Sequence, residues 1–294
     1  MIVLYRLFLL FDWGIMKLPH KMRKGIFTVL ATLAHLLAGS RNRIIQNNLT
    51  FAFGNTLNEE QKKEIEIYCY RNLLLNFLQT MENRRNTPEE LAQRVTFKNR
   101  DVVDELLAQG RGIIFVSAHL GNWELGGAAL SSLITPVSSI YKGFSNAAFD
   151  PYLLQARTNH RMELAEKNGA LKHIAKALRN GRSILLMIDQ ASNERYGVKT
   201  TFFGHETYHS STASGLSAKF SAPIIGVYIT SVDERHYTIS FENPITVERN
   251  DETSIIDATQ QQVNALEKTI RDHPKLWFWC HKRWKGEFPA IYAG

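Results

Sequence analysis

Three times along this chain an amphipathic, helix-like segment stops at a glycine or serine and runs directly into a short apolar stretch. "RDVVDELLAQ" (100–109) is closed by Gly110 and followed by "GIIFVSA" (112–118). "GALKHIAKALRNG" (169–181) leads into "SILLMIDQ" (183–190), and "STASGLSAKFS" (211–221) leads into "APIIGVYITS" (222–231). Apolar runs of this length, rich in β-branched residues and without polar alternation, suit strands buried on both faces, and strands of that kind belong to parallel sheets covered by helices. The expected fold is therefore α/β, with a mostly parallel central sheet flanked by helices. At 294 residues, 44% hydrophobic and 21% charged, the chain is long enough and apolar enough to bury one continuous core.

The remaining elements follow from local signals. Asn58, answered by Gln61 three residues later, opens a long helix toward Met81, and Thr87, Pro88 and Glu90 start a short one. Asn99 opens the 100–109 helix. "SSIYKGF" (138–144) reads as a strand, "NAAFDPYLLQARTNHRMELAEK" (146–167) as a helix, and "HYTISFENPITV" (236–247) as edge strands. The last helix runs from Asp251 to His273, with Ile256, Val263, Leu266 and Ile270 at helical spacing and Pro274 beyond its end. Nothing after residue 50 marks a second boundary, so residues 51–294 are expected to form one α/β domain behind a helical segment of residues 1–50.

That N-terminal segment carries much of the net charge of +7: Arg6, Lys17, Lys21, Arg23, Lys24, Arg41 and Arg43 stand against Asp12 alone. The basic residues flank the apolar runs "LFLLF" (7–11) and "IFTVLATLAHLLAGS" (26–40), a pattern that fits anionic lipid headgroups better than nucleic acid. A bilayer crossing takes about 20 mostly apolar residues. Arg6, Asp12 and Lys17 interrupt the first run and the second is shorter, so interfacial, membrane-associating helices are expected; the other readings are a first run that inserts shallowly or crosses at a tilt, and a buried core helix at 26–40. Cys69 and Cys280 lie far apart in sequence with no zinc-ligand spacing, and a reduced, cytosol-facing protein is the default.

No Gly-x-Gly-x-x-Gly, Walker A loop or Gly-x-Ser-x-Gly elbow is present, which removes the usual support for nucleotide and serine-hydrolase chemistry. Attention falls on "VSAHLGNWELGG" (116–127), at the carboxyl end of an apolar strand, where open α/β sheets bind ligands. On an unbroken helix His119 and Glu124, five residues apart, would diverge. If the chain turns at Gly121 they can converge, and a carboxylate on one ring nitrogen makes the other a better proton acceptor. Taken from spacing alone, a histidine satisfied by backbone and a glutamate serving a helix N-terminus is the favoured account. The spacing matches neither His-Glu-x-x-His nor His-x-x-Glu-His, so no metal is expected.

These residues carry a resemblance. "HLGNWE" resembles the His-x4-Asp/Glu motif of the lysophospholipid acyltransferase superfamily, in the form of the bacterial late acyltransferases of lipid A biosynthesis. "RIIQNNLTFAF", "YRNLLLNFLQTMEN", "IYKGFSN", "ILLMIDQ", "TTFFGHETYHSSTASGLSAKFSAPIIGVYI" and "LWFWCHKRWK" agree in order over nearly the whole chain. The resemblance implies a glycerol-3-phosphate acyltransferase-like fold and acyl transfer from acyl carrier protein or coenzyme A to a hydroxyl of a lipid A precursor. It implies no cofactor and no covalent enzyme intermediate. His119 becomes the general base and Glu124 its acidic partner, with Asn122 in the same motif. Arg157, with Arg161 as the neighbouring candidate, and Lys142 become contacts for substrate phosphate, and Asp189 lines the same cleft or caps the loop after it. The implied location is the cytoplasmic face of a bacterial inner membrane.

Two other readings stand beside this one: an acyltransferase for a different lipid acceptor, and a non-catalytic lipid-binding protein of the same fold. The run Trp277, Phe278, Trp279 and Trp284, interleaved with Lys275, Lys282, Arg283 and Lys285, suits either a membrane interface or core aromatics with a basic rim.

Overall fold

The structure is a computed structural model that describes residues 2–141, 143, 149–166 and 169–293. It begins with helices α1 (Ile2–Met16), α2 (His20–Leu37), α3 (Gly39–Phe53), α4 (Glu59–Asn83) and α5 (Pro88–Ala92). Strands and helices then alternate: β1 (Val95–Lys98), α6 (Arg100–Ala108), β2 (Ile114–Ser117), α7 (Trp123–Ala129), β3 (Val137–Tyr141), α8 (Asp150–Thr158), β4 (Glu163–Glu166), α9 (Ala170–Arg179) and β5 (Ser183–Met187). The hairpin β6 (Gly197–Phe202) and β7 (His205–Ser210) precedes α10 (Thr212–Phe220), β8 (Ile224–Thr230), β9 (Tyr237–Phe241) and α11 (Glu252–Asp272).

The central sheet has the order β1-β9-β8-β2-β5-β3-β4. Every neighbouring pair in it is parallel except β8 with β9. The three helix-to-strand units supply its middle, β8-β2-β5, as their apolar content requires. Phe115 packs on one face with Val103, Leu125 and Leu130, while Ile114 and Val116 pack on the other with Ile174, Leu178 and Leu266. Side chains so buried each contribute about 1.5–3 kcal/mol, which is why these strands carry no polar face.

The helix starts follow their caps. Asn58 with Gln61, and Thr87 with Glu90, each form a reciprocal capping box, and the Asp251 side chain accepts from the Ser254 amide. Asn99 is different. It sits in the left-handed region at φ 57° with no capping hydrogen bond, and its amide donates instead to the Phe241 carbonyl 3.0 Å away, tying α6 to β9.

Two expectations are corrected. The 236–247 region does not lie at the sheet edge: β9 is flanked by β8 and by β1, a four-residue strand that sequence periodicity does not reveal. The 146–167 region is not one helix, because the part described ends at Thr158, Arg161 takes φ 63°, and "ELAE" becomes the edge strand β4 beside β3. Residues with good helix propensity are recruited there by strand pairing, a tertiary override of a weak local preference.

Helices α1–α3 pack on α4. Ile15 and Phe27 share a cluster with Leu75, Leu78 and Met81, and Ile45 and Leu49 enter the main core. The outer faces stay bare: Val3, Leu4, Leu7 and Leu10 on α1, and Val29, Leu33, Leu36 and Leu37 on α2, are exposed. Run 26–40 is thus divided between a buried stripe, Phe27, Ala31 and His35, and an exposed one. Among the described residues no helix is long and apolar enough to cross a membrane. Cys69 on α4 and Cys280 near the C-terminus, remote in sequence, meet as free thiols with sulfurs 3.4 Å apart.

Candidate active site

Strands β2 and β5 are parallel neighbours with Ser117 opposite Met187. Two residues beyond each strand end stand His119 and Asp189, so the register that aligns the strands also aligns these side chains. The ladder continues past Met187, the Ile188 amide donating to the Ser117 carbonyl. His119 Nδ1 lies 3.0 Å from Asp189 Oδ1. The other oxygen, Oδ2, accepts from the His119 backbone amide at 3.1 Å and from the Trp277 indole N–H at 3.0 Å. Because the ionised carboxylate only accepts, Nδ1 carries the proton and Nε2 is left as the acceptor.

Electrostatics agree with this geometry. Burial pushes the Asp189 carboxyl up, but the attraction of His119 and the hydrogen bonds from His119 and Trp277 outweigh it and hold the group below its ordinary value. Burial pushes His119 down; the Asp189 charge and hydrogen bond, with a smaller attraction from Glu124, overcome both that and Arg157, so its pKa is raised. The imidazole is therefore a strengthened base.

The turn after His119 is fixed from three sides. Gly121 has φ 58°, and a Cβ there would run into the Ile229 carbonyl oxygen of β8, so only glycine fits. The Leu276–Phe278 segment pairs with the turn from another side: Gly121 N–H donates to Leu276 O, and Phe278 N–H to His119 O. From the third, the buried Asn76 carboxamide of α4 donates to Gly121 O at 2.8 Å and accepts from the Glu124 amide at 3.2 Å. Asn72 reaches Leu276 O, and Asn83 reaches Glu124 O. Asparagines at this spacing line one face of a helix and hold the whole loop by its backbone.

The turn does bring Glu124 to the same site as His119, but not into a hydrogen bond with it. Glu124 sits in the first turn of α7, and its carboxylate is held by Arg157 in a fork, Oε1 to Nη2 at 2.7 Å and Oε2 to Nε at 3.2 Å. The expected orienting pair of His119 with Glu124 is corrected to His119 with Asp189. The reason is positional: a residue in the helical turn points toward α8, whereas the neighbouring strand end delivers its carboxylate beside the ring. Arg157, in the last turn of α8, is half-buried; its desolvation pushes the pKa down, but the Glu124 charge and hydrogen bonds reverse this and keep it a cation.

Asn122 does not line the main cavity: its side-chain oxygen caps α7 by accepting from the Leu125 amide, and it faces a small pocket beside Glu82 and Tyr237. Lys142 lies outside the described residues. Arg161, exposed, gives its carbonyl to Arg182 and does not line the site.

His119, Glu124 and Arg157 open on a cavity of about 1140 Å³ whose other walls are mostly apolar, among them Phe77, Met162 and Leu185. This volume exceeds the roughly 300–1,000 Å³ of ordinary small-ligand sites and suits a long apolar substrate. The C-terminal aromatic run proves to be core: Trp277, Trp279 and Trp284 are buried, and Arg283 is buried with them, donating to Thr207, Tyr208 and His209. Trp277 and Asn76 are the site residues that local motif reading misses. Strand register would have paired His119 with Asp189, since both stand at the same distance past parallel apolar runs.

Residues 2–286 match the family described as bacterial lipid A biosynthesis acyltransferase. The chain belongs to that family. It is 21% identical over 275 residues to the lipid A biosynthesis lauroyltransferase of Escherichia coli (strain K12), the match covering 93% of this chain and 88% of that one. As a member of the lipid A biosynthesis acyltransferase family, the protein is an acyltransferase of the lipid A late acyltransferase type.

Proposed function

We propose that the protein moves a fatty acyl chain from a thioester of acyl carrier protein or coenzyme A to a hydroxyl of a lipid A precursor, with His119 as the general base. The observation that carries this reading is the His119–Asp189 pair at the edge of an apolar cavity large enough for a hydrocarbon chain. His119 Nε2 takes the acceptor hydroxyl proton as the oxygen attacks the thioester carbonyl. The tetrahedral intermediate collapses, the carbon–sulfur bond breaks, and the imidazolium returns the proton to the departing thiolate. Asp189 orients the ring and stabilises the imidazolium, as a buried carboxylate does in other base-assisted acyl transfers.

Glu124 takes a different part from the one its spacing suggested. Its charge strengthens His119 as a base, and its fork holds Arg157 at the cavity wall, where the guanidinium meets a phosphate of the donor or acceptor. The exposed apolar faces of α1 and α2, with Arg6, Lys17 and Lys21 beside them, rest on the anionic surface of the inner membrane's cytoplasmic face. No metal and no resident cofactor enters any step.

The test is an acyl-transfer assay on purified protein with acyl carrier protein and coenzyme A thioesters, each offered with a lipid A precursor or with a phospholipid acceptor. Transfer to the lipid A precursor, abolished by His119→Ala, is the expected result. Transfer to phospholipid alone, or full activity of the variant, refutes the assignment.

A further inference from the structure

Helix α1 is apolar on two opposite faces. Val3, Leu4, Leu7 and Leu10 point outward and are exposed, whereas Phe8, Leu9 and Ile15 point inward. A helix apolar all round has apolar surroundings on both sides. The inner side is visible here. The Phe8 ring lines the cavity that also contains His119, and there it meets Phe77 of α4 at 6.0 Å between centroids, Tyr152 of α8 at 4.8 Å and Phe149, just before α8, at 5.2 Å.

The rotation of α1 about its axis is set by one buried carboxylate paired with two arginines. Asp12, one helical turn from Phe8 and on the same face, is 1% exposed and accepts from Arg84 Nη1 at 3.0 Å and Arg85 Nη2 at 2.6 Å. The Arg84 guanidinium also lies 4.1 Å from the Tyr152 ring centroid, so a single cluster fixes α1, the end of α4 and α8 together. A buried ion pair adds little net stability over apolar packing, but it specifies one register strongly, since any rotation strands the charge. A helix that served only to rest on a lipid surface would need neither this buried carboxylate nor an inward aromatic ring.

We propose that the inner face of α1 is part of the substrate site: Phe8, Phe77, Phe149 and Tyr152 form an aromatic box that binds a saturated hydrocarbon chain leading to His119. Rings from three helices present flat, apolar walls with little rotamer freedom to lose, which suits a flexible methylene chain. The chain enters along the seam between α1 and α8, beside the exposed outer face of α1. Naming the chain as a substrate's rests on the acyl-transfer reading; the box as a hydrocarbon site does not.

The experiment compares Phe8→Ala with Val232→Ser, the second at a fully exposed apolar side chain that does not line the cavity, in the same detergent micelles. Binding of 11-(dansylamino)undecanoic acid is followed by fluorescence, and KM and kcat are measured separately for donor and acceptor. Phe8→Ala is expected to weaken probe binding about tenfold and to raise one KM similarly with kcat nearly unchanged, while Val232→Ser changes neither. A rise in donor KM assigns the box to the transferred chain; a rise in acceptor KM assigns it to a chain of the acceptor. If Phe8→Ala does not fold, Phe8→Trp serves instead, its indole emission being expected to shift as probe binds. Equal probe binding by wild type and both variants, or an indole at position 8 insensitive to probe, overturns the proposal. Probe binding that depends on Phe8 in a protein without acyl transfer would keep the box and reject only the reaction.

Discussion

Glu124 is bonded to Arg157, at 2.7 and 3.2 Å, and not to His119 five residues before it. Both partners of the fork are largely withdrawn from water, with side-chain exposures of 9% and 25%. Removing one leaves the other charged and unpaired. Glu124→Ala and Arg157→Ala are each expected to lower stability by about 3 kcal/mol in denaturant unfolding, whereas the double variant Glu124→Ala/Arg157→Ala loses clearly less than the two single changes added together. Additive losses would show that the fork is not a coupled pair.

Asn76 makes a second prediction. It joins α4 to the loop by two hydrogen bonds to backbone, and Asn76→Leu leaves Gly121 O and the Glu124 amide buried without that partner. A loss of about 2–4 kcal/mol follows, at roughly 1–3 kcal/mol per stranded group with partial relaxation. Because the loop carries His119, kcat should fall at conditions where the variant is still folded by circular dichroism. Unchanged kcat would reduce Asn76 to a packing residue.

Gly121→Ala tests the turn itself. The positive φ and the facing Ile229 carbonyl both oppose a side chain. More than about 3 kcal/mol of destabilisation is expected, or no folded protein at all, since strain and a backbone clash act together. A variant of native melting temperature would mean that the loop has another conformation of similar energy.

Much of this arrangement was legible in the sequence, for physical reasons that differ by element. The core strands β2, β5 and β8 are buried on both faces and so cannot hide their apolar composition, and the boxes at Asn58 and Thr87 are local chemistry. By contrast, β1 and β4 are four-residue strands whose pairing lies in their neighbours and not in their own residues. The site divides the same way. The motif points to His119 and Glu124, the resemblance to Arg157, and a strand end to Asp189 as either a cleft residue or a loop cap, but which carboxylate meets the imidazole depends on a pairing across 70 residues of chain, and the motif spacing favours the nearer acid. Phe8 was hidden for another reason: in a run such as "LFLLF" the inward and outward apolar positions look alike, and only the buried Asp12 distinguishes the two faces.

The most direct test of the central claim is the pH dependence of kcat/KM in wild type and Asp189→Asn. His119 must be neutral to accept a proton, and burial, which lowers its pKa, is outweighed by Asp189, so the acid limb of the wild-type profile should lie above the ordinary imidazole value. Replacing the carboxylate by a neutral amide removes the largest opposing attraction, and the limb should move to lower pH while the plateau rate falls by about 10²–10⁴. An acid limb at the same pH and an undiminished plateau in Asp189→Asn would contradict the account.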